Sequence, residues 1–263
     1  MVYLSCLTFD LTLLESRTPQ KTEDELKKFS LDPDLGPIER TVKLLQGNDV
    51  QKSVACLNLG HLSGMSDAEL DQVVVALKAA QIASSENRQV VYDMSEGITK
   101  LLQGLSKTRV TKLASLIFAG IDSPRGQYWG KVLSVFIEMI PYQEIKRVIP
   151  EILSRSSMST SEAGRTAIAL TLGQLMISLQ GKSEQSEVLQ LTKELSNDVC
   201  LDVRQASSSQ MDLIVRSLDK QNVQGIVLLL PLNIIPYQGS ANRKFRYEFV
   251  FRKKFISYNR TLQ

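Results

Sequence analysis

The chain has 263 residues, with 31 lysines and arginines against 28 aspartates and glutamates, one histidine and three cysteines. A hydrophobic content of 43% supports a continuous core and excludes wholesale disorder. No apolar run reaches the ~18 residues of a transmembrane helix, and Cys6, Cys56 and Cys200 are too few and too far apart for a disulfide framework.

Met1 to Leu14 is fairly apolar but lacks a basic start and is interrupted by Asp10, so it does not read as a signal peptide. Residues 15–34 are polar, with Thr18-Pro19 and the acidic cluster Glu23-Asp24-Glu25, and predict a poorly ordered lead-in (1–34) with a short helix near Glu23–Phe29. From Leu35 onward apolar residues recur at helical spacing. Leu70, Val73, Val74 and Leu77 form one stripe; Val132, Val135, Phe136, Met139 and Ile140 another; Ile145, Val148, Ile149, Ile152 and Leu153 a third; and Ile168, Leu172, Leu175, Met176 and Leu179 a fourth. Such stripes need burial against other helices on one side only. Turn and N-cap chemistry separates them at Gly64–Asp67, Ser84–Asn87, Asp122–Gly126, Ser156–Ser161 and Gly181–Ser183.

The breaks divide the chain into helix pairs at about 35–63, 66–104, 106–140, 142–180 and 184–218, with a further first helix from about Asn222. Leu45, Leu77, Ile117, Leu153 and Leu195 take matching places in the first helices, at spacings of 32, 40, 36 and 42 residues. These lie in the range of HEAT-like repeats. Pro150 falls inside a first helix, where it removes a hydrogen bond and bends the chain. Asp198, followed by Val203-Arg204, is the loop-to-helix signature of such a repeat. The acid caps or ladders the turn, Val203 opens the buried face of the second helix, and Arg204 is expected to reach the neighbouring repeat. The predicted fold is all-α: a right-handed HEAT-repeat α-solenoid of about five to six helix pairs over 35–235.

After Ile235-Pro236 the helical pattern stops. Residues 239–263 carry seven basic residues and one acid, which leaves 24 basic against 27 acidic residues, a net −3, in 1–238. In this tail Phe245, Tyr247, Phe249, Phe251, Phe255 and Tyr258 interleave with arginine and lysine. Such a segment can bind single-stranded nucleic acid or an anionic membrane. The preferred expectation is an atypical, disordered tail (236–263) of a fragment or truncated isoform, with no nucleic acid bound.

Enzyme chemistry has little to rest on, so no catalytic, cofactor-binding or metal residue is assigned. His61 is a lone histidine on a helical pattern and reads as structural. Gly181-Lys182-Ser183 lacks the upstream glycine and strand of a phosphate-binding loop. Trp129 is placed at the start of a second helix, packing on the preceding repeat. A solenoid with no site of its own is a scaffold, and its function lies in its partner. The turns 156–161 and 197–202, between the best-formed helix pairs, are the candidate partner-binding elements, with Ser156, Ser157, Ser159, Asn197, Asp198 and Leu201 named for contact.

Several blocks go beyond a generic repeat: Thr18-Pro19, Glu23-x-Glu25-Leu26, Leu31-Asp32-Pro33-Asp34-Leu35, Ile38-Glu39-Arg40-x-Val42-x-Leu44-Leu45 and Asp49-Val50-Gln51. With Trp129, Leu133-Ser134-Val135-x-Ile137-Glu138-x-Ile140-Pro141, and Leu195-Ser196-x-Asp198-Val199, they resemble the regulatory subunit 4 family of serine/threonine-protein phosphatase 4. That family is related to the HEAT-repeat scaffold of phosphatase 2A. The resemblance covers roughly residues 15–235 and diverges most over 52–125. It implies a non-catalytic cytoplasmic subunit that binds the phosphatase 4 catalytic chain, without cofactor or small-molecule substrate. The alternatives are a HEAT adaptor for transport or the cytoskeleton, and binding through the tail.

Overall fold

The computed structural model describes residues 35–218, all helix and turn. The lead-in, the helix expected from Asn222 and the basic tail lie outside the described residues. Within them the helices come in five consecutive pairs whose ends fall within two residues of those expected from the sequence. The first pair is α1 (Pro37–Leu45) and α2 (Asp49–Leu57), the latter extended by a 3-10 turn, Leu59–Leu62. The second is α3 (Asp67–Ala83) and α4 (Arg88–Gly104). In the third, α5 (Lys107–Val110), a 3-10 turn and α6 (Ala114–Ile121) make a broken first helix, and a 3-10 turn, Gly126–Trp129, leads into α7 (Gly130–Met139). The fourth is α8 (Tyr142–Arg155) and α9 (Glu162–Ser178); the fifth is α10 (Gln185–Ser196) with α11 (Leu201–Ser209) and α12 (Met211–Ser217). This is a HEAT-repeat α-solenoid.

Local chemistry sets the helix starts. Asn48 and Gln51 close a reciprocal capping box at α2, with bonds of 2.5 and 3.0 Å, and Ser66 and Glu69 close another at α3. Asn87 accepts from the amides of Gln89 and Val90 at α4, and Ser161 accepts from Gly164 at α9. Pro37 opens α1 where its missing N–H costs nothing. Pro150 is accommodated inside α8.

One core runs the length of the stack, from Leu44 to Leu218. The expected first-helix positions Leu45, Leu77, Ile117 and Leu195 are buried within it. Leu153 is only half-buried; past Pro150 the inward place belongs to Ile152. Trp129 ends the 3-10 turn rather than opening α7, and is fully buried. Its ring lies against Gly120 of its own repeat's first helix, while the turn also touches α4 of the preceding repeat.

The two layers are unequal. The second helices pack on one another in series, from α2 through α4, α7 and α9 to α11 and α12. The first helices touch along their row mainly from α1 to α3 and from α3 to α6. Glycines account for the difference. A Cβ on Gly97 of α4 would stand 1.8 Å from the Cys56 carbonyl oxygen of α2, and one on Gly173 of α9 would stand 2.8 Å from Leu213 of α12. Gly130, at the start of α7, faces the Ala167 carbonyl and Leu170 of α9 just as closely. The second helices are therefore the more closely spaced of the two layers.

Candidate interaction surface

The intra-repeat turns, residues 46–48, 84–87, 122–125, 156–161 and 197–200, follow one edge of the stack, and polar contacts tie each to the next. Asp49 accepts from Ser84 Oγ at 2.8 Å and Asn87 Nδ2 at 2.7 Å, while Lys52 Nζ donates to Ser84 Oγ at 2.9 Å. The Ser84 bond is the main reason that the Asp49 carboxyl titrates below its usual range. Arg88 Nε donates to the Tyr128 hydroxyl at 2.6 Å, and Tyr128 meets Tyr92 edge to face at 5.8 Å. Arg155 forks onto Asp122 at 2.8 and 2.9 Å with its guanidinium 4.8 Å from the Phe118 ring centre.

The last rung among the described residues is buried. Arg165 of α9 grips Asp198 of the following turn with two bonds, 2.7 and 3.0 Å, and donates to the Thr160 carbonyl of its own turn at 2.6 Å. Asp198 also accepts from the Cys200 amide at 2.8 Å. Burial alone would raise the Asp198 carboxyl; the bonds from Arg165 and the Cys200 amide outweigh it and hold it below its usual range. The acid therefore ladders the turn through Arg165. Arg204 does not reach the neighbouring repeat among the described residues: it folds back onto the Asp198 and Val199 carbonyls of its own turn at 2.6 and 2.9 Å. Arg165 and Arg204 each stand fourth in a second helix and each grip their own turn. Only Arg165 has a described turn ahead of it to hold.

The sites named from sequence divide by exposure. Ser157, Ser159, Asn197 and Leu201 face solvent, and Ser156 is half-buried. Asp198 is 4% exposed with its carboxylate fully engaged, so it offers no surface and belongs with Val203 in the repeat motif. Sequence reasoning passed over Met158 and Val199, which are 59% and 76% exposed. With Leu201, the first residue of α11, they put three exposed apolar side chains on two adjacent turns and the helix start beside them. An apolar residue in a polar turn is the signal that marks them.

The opposite edge is spent on polar ties between first helices. Arg109 donates to the Met65 and Ser66 carbonyls and pairs with Asp67; Lys112 pairs with Asp71. Tyr142 Oη donates to Glu184 at 2.7 Å, and Lys146 pairs with it at 3.1 Å. These bonds, that of Tyr142 first, hold the Glu184 carboxyl at about 2. Gly181 turns the chain with φ 72°, and Lys182 lies 4.9 Å over the Tyr142 ring, so the Gly-Lys-Ser stretch is a turn between repeats.

His61 is exposed on the 3-10 turn after α2. Burial pushes the Cys56 and Cys200 thiols up, away from the thiolate. Among the described residues no three His, Cys, Asp or Glu side chains gather as metal ligands, and no helix is long and apolar enough to cross a membrane.

A human protein, serine/threonine-protein phosphatase 4 regulatory subunit 4, is 25% identical over 250 residues. The mouse protein of the same name is 25% identical over 230 residues. This chain is similar to phosphatase 4 regulatory subunit 4. The alignments take in 91% and 83% of it, but only 28% and 26% of the human and mouse proteins, so the chain spans under a third of the relatives it matches. No family model matches, and neither does any solved structure. Both relatives are named as regulatory subunits, and the aligned stretch is long enough to contain all five described repeats.

Proposed function

We propose that this chain is a non-catalytic subunit, acting in the cytoplasm, that binds the catalytic subunit of serine/threonine phosphatase 4 and positions it or its substrates. The observation that carries the reading is the likeness to phosphatase 4 regulatory subunit 4 along nearly the whole chain. The geometry supports a scaffold role. The interior is filled by inter-repeat packing, the ladder fixes the turns, and side chains outside that ladder are left for recognition.

The docking element proposed is the ridge formed by the turn 156–161 and by residues 197–202, the second turn with the start of α11. Met158, Val199 and Leu201 supply the apolar contact; Ser157, Ser159 and Asn197 supply a polar rim. Exposed apolar anchors within a polar rim are the usual anatomy of a protein interface. Metal ions and hydrolysis would belong to the partner.

The test is a binding assay of the 263-residue chain against purified catalytic subunits of phosphatases 4 and 2A. Binding to phosphatase 4, with a preference over 2A, is expected. Met158→Asp, Val199→Asp and Leu201→Asp together should weaken it at least tenfold, the equivalent of about 1.4 kcal/mol, if the ridge contributes as an ordinary interface centre does. Full binding by a correctly folded triple variant would move the interface off the ridge. Binding to neither phosphatase would overturn the functional reading.

A further inference from the structure

We infer that the turn between α8 and α9 is a phosphorylation site, with Ser159 as the acceptor for an acid-directed serine/threonine kinase. At six residues, 156–161, this is the longest of the intra-repeat turns among the described residues. It holds five hydroxyl side chains, and the structure separates them into two kinds. Ser156 Oγ donates to the Leu153 carbonyl at 2.6 Å. Thr160 Oγ1 is taken by the Arg155 and Ser157 carbonyls, each at 2.7 Å, and Ser161 Oγ caps α9. Those three hydroxyls build the turn. Ser157 and Ser159 stand exposed and bond each other at 2.9 Å; Ser157 Oγ also takes the Ser159 amide at 3.3 Å. Neither is needed to hold a helix end.

Recognition separates the two. Three residues beyond Ser159 stands Glu162, exposed and fixed in the first turn of α9. Ser157 has Thr160 at that offset, which is neutral and occupied with the turn. A kinase whose substrate cleft is basic would therefore take Ser159 and leave Ser157. Met158 beside it is well exposed, so the segment is accessible to a cleft. In the reaction Ser159 Oγ attacks the γ-phosphorus of magnesium-bound ATP. The bond to the β–γ bridging oxygen breaks, ADP departs, and the hydroxyl proton passes to the kinase's catalytic base. The product adds a charge of about −1.5 to −2 next to Met158 and just ahead of the N-terminus of the 17-residue helix α9. The surface beside Met158 thereby changes from apolar to anionic.

The assignment does not depend on which partner the ridge binds. The test is incubation of the 263-residue chain with an acid-directed kinase and magnesium ATP, with peptide mapping by mass spectrometry. Phosphate is expected on Ser159 of the folded chain, abolished by Ser159→Ala, retained in Ser157→Ala, and slowed about tenfold or more by Glu162→Gln, which removes one charge-assisted contact to the kinase. Thermal melts of the three variants should show a folded chain with at most a small loss: Ser157 Oγ takes the Ser159 amide and Glu162 accepts from the Cys200 thiol, but no helix end rests on any of the three side chains. Phosphate confined to Ser157 or to other segments would overturn the assignment, as would a rate on Ser159 that Glu162→Gln leaves unchanged.

Discussion

Asp198→Ala is the perturbation whose cost is best defined by the geometry. It removes the carboxylate that meets a guanidinium through two bonds, both side chains being at least nine-tenths buried. It also removes the acceptor of the Cys200 amide. Arg165 keeps its bond to Thr160 but is left charged in a site that was built for a pair. Removing one partner of a buried pair costs about 3–5 kcal/mol, chiefly because the other charge stays desolvated. In a solenoid that cost falls on one joint, between the fourth and fifth repeats, rather than on the whole chain. Amide exchange should therefore accelerate in α10–α12 by about a hundred- to a few thousand-fold, while α2 and α4 change little.

Hydrogen exchange followed by mass spectrometry, with urea unfolding beside it, reads both the size and the place of the effect. Replacing both partners with apolar residues, Arg165→Met with Asp198→Leu, should restore most of the protection, because an apolar pair leaves no stranded charge. The pair also carries a pH signature. Because the Asp198 carboxyl is held below its usual range in the fold, its contribution is complete above that range and is lost as pH falls through the lowered value. A loss under about 1 kcal/mol, as for an exposed pair, would refute the argument. So would protection lost evenly from residue 37 to 217.

Two further outcomes follow from the packing and the opposite edge. Gly97→Ala sets a Cβ against the Cys56 backbone carbonyl, which cannot rotate away, so a loss of about 1–3 kcal/mol in urea unfolding is expected; an unchanged midpoint would show that the second helices can separate freely. Glu184, held at about 2 by Tyr142 and Lys146, stabilises the fold fully above the ordinary glutamate value of about 4.3 and loses that stabilisation as pH falls toward 2; Glu184→Gln should be less stable at neutral pH and show a flatter acid limb in pH-dependent melts.

The helix pairs were legible because their chemistry is local. A 3.6-residue apolar period and Ser or Asn caps can be read without knowing the partner surface, and Ser66, Asn87 and Ser161 all cap where the polar breaks predicted. The broken first helix of the third repeat was not legible, since residues 107–121 contain no proline and only Gly120. At the break Thr111 Oγ1 donates to the Thr108 carbonyl at 2.9 Å and Arg109 reaches the second repeat's Met65, a contact that no local pattern announces. The ladder was half legible. Asp198 advertises itself, but its partner stands 33 residues earlier and is set by how α9 stacks on the next turn. The apolar ridge escaped notice because Met158 and Val199 look like core residues by composition. Only burial shows that they are not.

The unequal layers bear on how such a chain can serve a partner. Second helices that meet through Gly97, Gly130 and Gly173 leave no space for a side chain between them, so that layer resists compression. First helices that touch sparsely beyond α6 are held mainly by edge contacts, Tyr142 and Lys146 on Glu184 among them. A force that bends the stack would therefore act first on the more sparsely packed first-helix row and its polar edge. The turns that carry Met158, Val199 and Leu201 sit between the layers, at the ends of first helices and the starts of second helices. Their relative positions are fixed by Arg165 and Asp198 rather than by the apolar side chains themselves. A partner seated on that ridge would read a spacing that is set from within, and could be lost by breaking the buried pair without touching any residue it contacts.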